Sequence, residues 1–92
     1  KYVDVIITGN DFQKPKPNPE IFLRAANDLG IAPHNAIVVE DAVNGIMAAK
    51  TGNFRSIGIA NSESPKDLQK AGATIVIPHT KELTLDLLKK LN

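Results

Sequence analysis

Four short runs dense in valine and isoleucine constrain this 92-residue chain most: "DVIIT" (4–8), "AIVVE" (36–40), "RSIGIA" (55–60) and "TIVIP" (74–78). They are continuous rather than alternating, which suits strands buried on both faces, as in a parallel sheet. Parallel neighbours need a crossover between them, and the intervening sequence is punctuated as helix. Asn18 suits an N-cap, with Pro19 at the first helical position and Glu20 near the positive end of the dipole. Phe22, Ala25, Ala26 and Leu29 share one face, and Gly30 supplies a left-handed exit. Ser64, Pro65 and Asp67 repeat that start, and Gly72 repeats the stop. Val43, Ile46 and Met47 line a helix ended by Gly52; Thr80 opens a last one, with Leu83, Leu87, Leu88 and Leu91 facing inward. The pattern predicts strands at 4–8, 36–40, 55–60 and 74–78 and helices near 19–29, 43–51, 65–71 and 81–91. Strand and helix alternate throughout, so right-handed crossovers and a Rossmann-like, doubly wound parallel α/β sheet follow.

Composition narrows the function classes. Lys and Arg number 11 against 10 Asp and Glu, so nothing argues for nucleic acid or an anionic membrane surface as a partner. Without cysteine there is neither a disulfide framework nor a thiolate metal site. No apolar stretch approaches the roughly 20 residues that span a bilayer. The opening "KYVDVIITG" lacks a signal-peptide layout and reads as if the chain begins mid-protein. A single domain, or a piece of a larger one, in the cytoplasm is the expectation.

The run at 36–40 ends on two adjacent carboxylates, Glu40 and Asp41, with no Lys or Arg until Lys50. Ligands of open parallel sheets sit beyond the carboxyl ends of the strands, where these two stand. The helix they lead into presents unsatisfied backbone N–H groups. Hard oxygen ligands at such an edge suit Mg²⁺, which takes one or two carboxylates and leaves its other positions to water and phosphate. Spacing alone leaves a plainer alternative open: Asp41 caps the helix and Glu40 is a solvated strand end. Gly45, early in that helix, costs up to ~1 kcal/mol against alanine and so points to close packing or close approach of a ligand.

The segment "QKPKPNPEIF" (13–22) is the second unusual feature. Lys14 and Lys16 each precede a proline, and prolines at 15, 17 and 19 stiffen the loop. Alone, these lysines read as solvated. With an acidic pair one strand later, an ammonium and a metal site on one sheet edge would clamp a phosphoryl group, whose transfer depends on positioning and charge neutralisation.

"KPNPEIF" followed by "VVEDAVNGIMAAK" resembles motifs III and IV of the haloacid dehalogenase-like superfamily, most of all its β-phosphoglucomutase and sugar-phosphate phosphatase branch. The tail "GATIVIPHTKELTLDLLKKL" resembles the end of β-phosphoglucomutases, so the likeness covers nearly the whole of 1–92. The resemblance implies that Lys16, rather than Lys14, contacts phosphate. It also implies that Glu40 and Asp41 position Mg²⁺, with Asp41 the direct ligand. The family's nucleophile and its general acid/base are the two aspartates of an N-terminal D-x-D motif, and no D-x-D occurs in this sequence. The motif II Ser or Thr and the substrate-selecting helical cap are missing too. The resemblance therefore implies the C-terminal part of a phosphatase or phosphomutase core acting on a small phosphorylated substrate. It would be inactive alone and would be partnered by the enzyme's N-terminal part. In the family's sheet, two N-terminal strands separate the strand resembling 4–8 from that resembling 36–40. Here another chain supplies those strands, or the sequence is part of a longer one, or the two strands pair directly. Their loss is expected to leave apolar faces of "DVIIT" and "AIVVE" unpaired or exposed.

Two other classes compete. A phosphoacceptor receiver domain also carries an acidic pair and a Lys-Pro, but there the Lys-Pro follows the pair, and "RSIGIA" lacks the aspartate such a domain needs at an intervening strand end. A non-catalytic binding subunit would keep the fold without the chemistry. His34 and His79 lack metal-like spacing and read as surface residues; Asn44 reads as solvated.

Overall fold

The computed structural model describes residues 4–7, 19–61 and 63–91, with the backbone alone considered at 4–7. Its strands are β1 (Asp4–Ile7), β2 (Ala36–Glu40), β3 (Arg55–Ile59) and β4 (Ile75–Ile77). Its helices are α1 (Glu20–Asp28), α2 (Val43–Thr51), α3 (Pro65–Ala71) and α4 (Leu85–Lys90). The four strands form one sheet in the order β1-β2-β3-β4, and every neighbouring pair is parallel. The predicted strands are all present, one or two residues shorter at their ends except β2; position 8 lies outside the described residues.

Because the order never reverses, right-handed crossovers put all three connecting helices on one face. Contacts agree. Ala36 and Val38 of β2 pack with Phe22 and Ala26 of α1 and with Ala48 and Ala49 of α2. Gly58 of β3 faces Leu68 of α3. The four alanines let α1 and α2 lie close to the sheet, and two phenylalanines fill the remaining space. Phe22 and Phe54 meet edge to face at 6.0 Å between centroids, an arrangement worth about 0.5–1.5 kcal/mol beyond simple burial. The opposite face carries Ile37, Val39, Ile57, Ile59 and Ile77, covered by Leu83, Leu87, Leu88 and Leu91 in and around α4. Helices therefore cover both faces.

β1 pairs directly with β2, from Asp4 opposite Ala36 to Ile7 opposite Val39. Of the three arrangements the resemblance left open, direct pairing is the one described. It corrects the expected exposure of "AIVVE": every residue of β2 is buried, because a strand lies on each side and helices above and below.

Helix ends follow local chemistry. Ser64 Oγ accepts from the Asp67 amide at 3.1 Å, and Gly72 leaves α3 at φ 116°, as expected. Gly30 likewise takes φ 70° after α1. Three expectations need correction. Pro19 is the N-cap of α1 rather than its first helical residue; Asn18 lies outside the described residues. Leu29 and Met47 point outward, at 67% and 39% exposure, and Ile31 packs against the core in place of Leu29. The last helix does not open at Thr80, which begins a 3-10 turn over Thr80–Glu82; Thr84 caps α4 by accepting from the Leu87 amide at 3.2 Å.

Candidate functional site

β2 runs into α2 through a two-residue turn, and this turn holds the acidic pair. Alternation along β2 sends Ala36, Val38 and Glu40 to the same face, beneath α2. Glu40 is accordingly 1% exposed, an unusual place for a carboxylate. A buried charge persists only with partners. Its Oε1 accepts from the amides of Asp41 at 3.1 Å and of Ala42 at 3.2 Å. Hydrogen bonds to a charged acceptor are worth about 1.5–3 kcal/mol each, so the side chain folds back as a clamp on its own turn.

The helix α2 then starts with Ala42 as its N-cap, extended at φ −111° and ψ 142°, with no side-chain cap. Asp41 is thus one residue too early for the cap position and half-buried on the turn. Neither half of the plainer alternative fits, since the strand-end glutamate is not solvated and the aspartate is not the N-cap. Gly45 explains how the glutamate is accommodated. A Cβ there would overlap the Glu40 side chain at Cγ, Cδ and Oε2. The close packing predicted from this glycine is packing against Glu40.

Carboxylate oxygen is the donor type that hard divalent cations take. Asp41 carries a carboxylate at the C-terminal edge of the sheet, on a turn fixed by the buried acid beneath it. Glu40, with Oε1 engaged by two amides, is placed to orient that turn. Among the described residues no group of three or more His, Cys, Asp or Glu could hold a metal. Lys16 and Lys14 lie outside the described residues, so the geometry bears only on the acidic pair. His34, His79 and Asn44 are exposed, as expected. An open groove of about 510 Å³ runs between α2 and α3, lined by Val43, Met47, Glu63, Asp67, Lys70 and Ala71, and neither carboxylate of the pair lines it.

The resemblance singles out Asp41 as the direct ligand, but the burial of Glu40 and its hold on the turn amides went unread in the sequence. The signal was there: Glu40 is the fifth residue of a continuous buried run, and Gly45 follows it on α2.

Comparison with known proteins bears on family and fold. The family described as haloacid dehalogenase-like hydrolase matches residues 1–59. A phosphorylated carbohydrates phosphatase of Thermotoga maritima is 34% identical over 93 residues, covering 99% of this chain and 42% of that protein. A β-phosphoglucomutase of Bacillus subtilis is 35% identical over 83 residues, covering 90% of this chain and 34% of that protein. In three dimensions the chain is similar to the crystal structure of a β-phosphoglucomutase from Clostridium difficile. The TM-score is 0.70 at 34% identity, over 88% of this chain and 34% of the other. The chain spans less than half the length of each of these proteins. Among the described residues no helix is long and apolar enough to cross a membrane.

Proposed function

Because the chain belongs to the haloacid dehalogenase-like hydrolase family, we propose that it is the C-terminal part of a Mg²⁺-dependent phosphoryl-transfer enzyme acting on a small phosphorylated metabolite. A sugar phosphate is the favoured substrate class, by analogy with relatives named phosphorylated carbohydrates phosphatase and β-phosphoglucomutase. The observation that carries this reading is the turn after β2, where a buried Glu40 grips the backbone and leaves Asp41 at the sheet edge. In this reading Mg²⁺ supplies charge neutralisation at the phosphoryl oxygens. Asp41 ligates it, Glu40 holds Asp41 in place, and Lys16 neutralises the phosphate from the loop before α1.

The attacking group lies elsewhere. Transfer of this kind needs a carboxylate nucleophile in line with the leaving oxygen and a second acid/base to move the proton. The sequence contains no D-x-D pair to provide them, and using Asp41 as nucleophile would remove the metal ligand. The N-terminal part of the enzyme, on the same or a separate chain, is the implied partner, and the cytoplasm the implied compartment. The test is hydrolysis of a small phosphate ester and of a hexose phosphate with Mg²⁺, first by residues 1–92 alone and then with the N-terminal part added. Activity only on mixing is expected; turnover by residues 1–92 alone would refute the division of labour.

A further inference from the structure

Gly45 is fully buried on the first turn of α2, where helix propensity alone would favour alanine. The atoms that a Cβ would strike there are not backbone or a flexible chain end in solvent. They are Cγ, Cδ and Oε2 of Glu40, a side chain 1% exposed and held at Oε1 by the Asp41 and Ala42 amides. Such a side chain cannot swing aside without breaking those two bonds and carrying its charge into the packed layer between β2 and α2.

We propose that Gly45 is a positioning residue: the space left by its missing side chain seats the Glu40 carboxylate, and that seat fixes the turn from which Asp41 projects. The steric part stands on the packing alone; its meaning for catalysis rests on the reading of Asp41 as the metal ligand. Gly45→Ala unseats Glu40, frees the two amides and loosens Asp41, while the rest of α2, anchored by Ile46, Ala48 and Ala49, keeps its place. The effect comes from shape and not from charge, so Glu40→Gln leaves it intact and Glu40→Ala abolishes it.

The test uses the 92-residue chain, with Gly45→Ala made in the parent, in Glu40→Gln and in Glu40→Ala. Amide exchange and urea midpoints are the readouts. In the parent and in Glu40→Gln, Gly45→Ala should lower the midpoint. In the parent it should also speed exchange at Asp41 and Ala42 by about tenfold or more relative to Ile46, whose amide bonds the Ala42 carbonyl. In Glu40→Ala the same change should raise the midpoint, because only helix propensity is then left to act. If Gly45→Ala does not fold, recovery of folding in the Glu40→Ala, Gly45→Ala pair supports the proposal, and failure to recover overturns it. A parent chain stabilised by Gly45→Ala, with the two amides still protected, also overturns it. Titration with Mg²⁺ after adding the N-terminal part, read at the Asp41 amide shift, separates the two ideas. A silent amide in the parent undoes the metal reading alone, and the outcome of the cycle is unaffected by it.

Discussion

Ser56 is the second residue of β3, 1% exposed, on the face covered by α2 and α3. Its main chain is fully used at the β4 side: the amide donates to Thr74 Oγ1 at 3.0 Å, and the carbonyl accepts from the Thr74 amide at 2.9 Å. Its own hydroxyl has no partner among the described residues. An unpaired buried hydroxyl costs about 1–3 kcal/mol in desolvation. Ser56→Ala removes that cost while leaving both main-chain bonds in place. Against the gain stands the loss of one buried heavy atom's contacts, worth a few tenths to about 1 kcal/mol. The net expectation is a stabilisation of about 0.5–2 kcal/mol. For a domain of this size urea slopes run near 1 kcal/mol per molar, so the midpoint should rise by about 0.5–2 M. The melting temperature should rise by several degrees, at about 4–8 °C per kcal/mol. Unfolding followed by far-ultraviolet circular dichroism in urea checks it, with Ser56→Thr as a contrast that keeps the hydroxyl and adds a methyl to a packed layer. A midpoint lowered by Ser56→Ala would mean that the hydroxyl is satisfied, and the reasoning would fail.

In the complete enzyme, Asp41→Ala should abolish most of the Mg²⁺ dependence of turnover and Asp41→Asn should be nearly as damaging, since the charge and not the shape holds the cation. This is read from initial rates across a Mg²⁺ series. Lys16→Ala should weaken handling of the phosphate, seen as a raised KM for a phosphate ester, and Lys14→Ala should do little; equal losses would show the register of the loop to be misassigned. Thr84→Ala should cost about 1 kcal/mol through loss of the α4 cap, and Thr80→Ala a few tenths at most, a difference that thermal melts of the two variants resolve.

The strands were legible because their hydrophobic runs are unbroken, and a run buried on both faces leaves few other places for it to go. Helix starts were legible at Ser64, where a hydroxyl does the capping, and misread at Thr80, because the threonine that caps the last helix is Thr84. Thr80 and Thr84 both stand ahead of leucines, Thr80 three residues before Leu83 and Thr84 directly before Leu85, and only the 3-10 turn after β4 decides between them. Leu29 was misread because periodicity says nothing about where the helix stops; α1 ends at Asp28 and the turn carries Leu29 into solvent. At the site, the sequence revealed that two acids share a strand end. It did not reveal that one is a buried clamp and the other half-buried on the turn, because that division depends on the depth at which α2 packs over β2. Gly45 carries that depth as a single missing side chain.

The two faces of the sheet differ in how firmly they are covered. α1, α2 and α3 each bury at least one side chain completely: Phe22, Ile46 and Leu68 are all at 0% exposure. α4 buries none; Leu83, Leu87, Leu88 and Leu91 are only half-buried over Ile57, Ile59 and Ile77. Six residues are also too few to hold helical form without docking. Residues 83–91 are therefore expected to be a weakly held unit, able to open and reclose while β2 and β3 stay paired. Amide exchange should separate into two tiers, with α4 exchanging through this local opening and the amides of β2 only through unfolding of the whole.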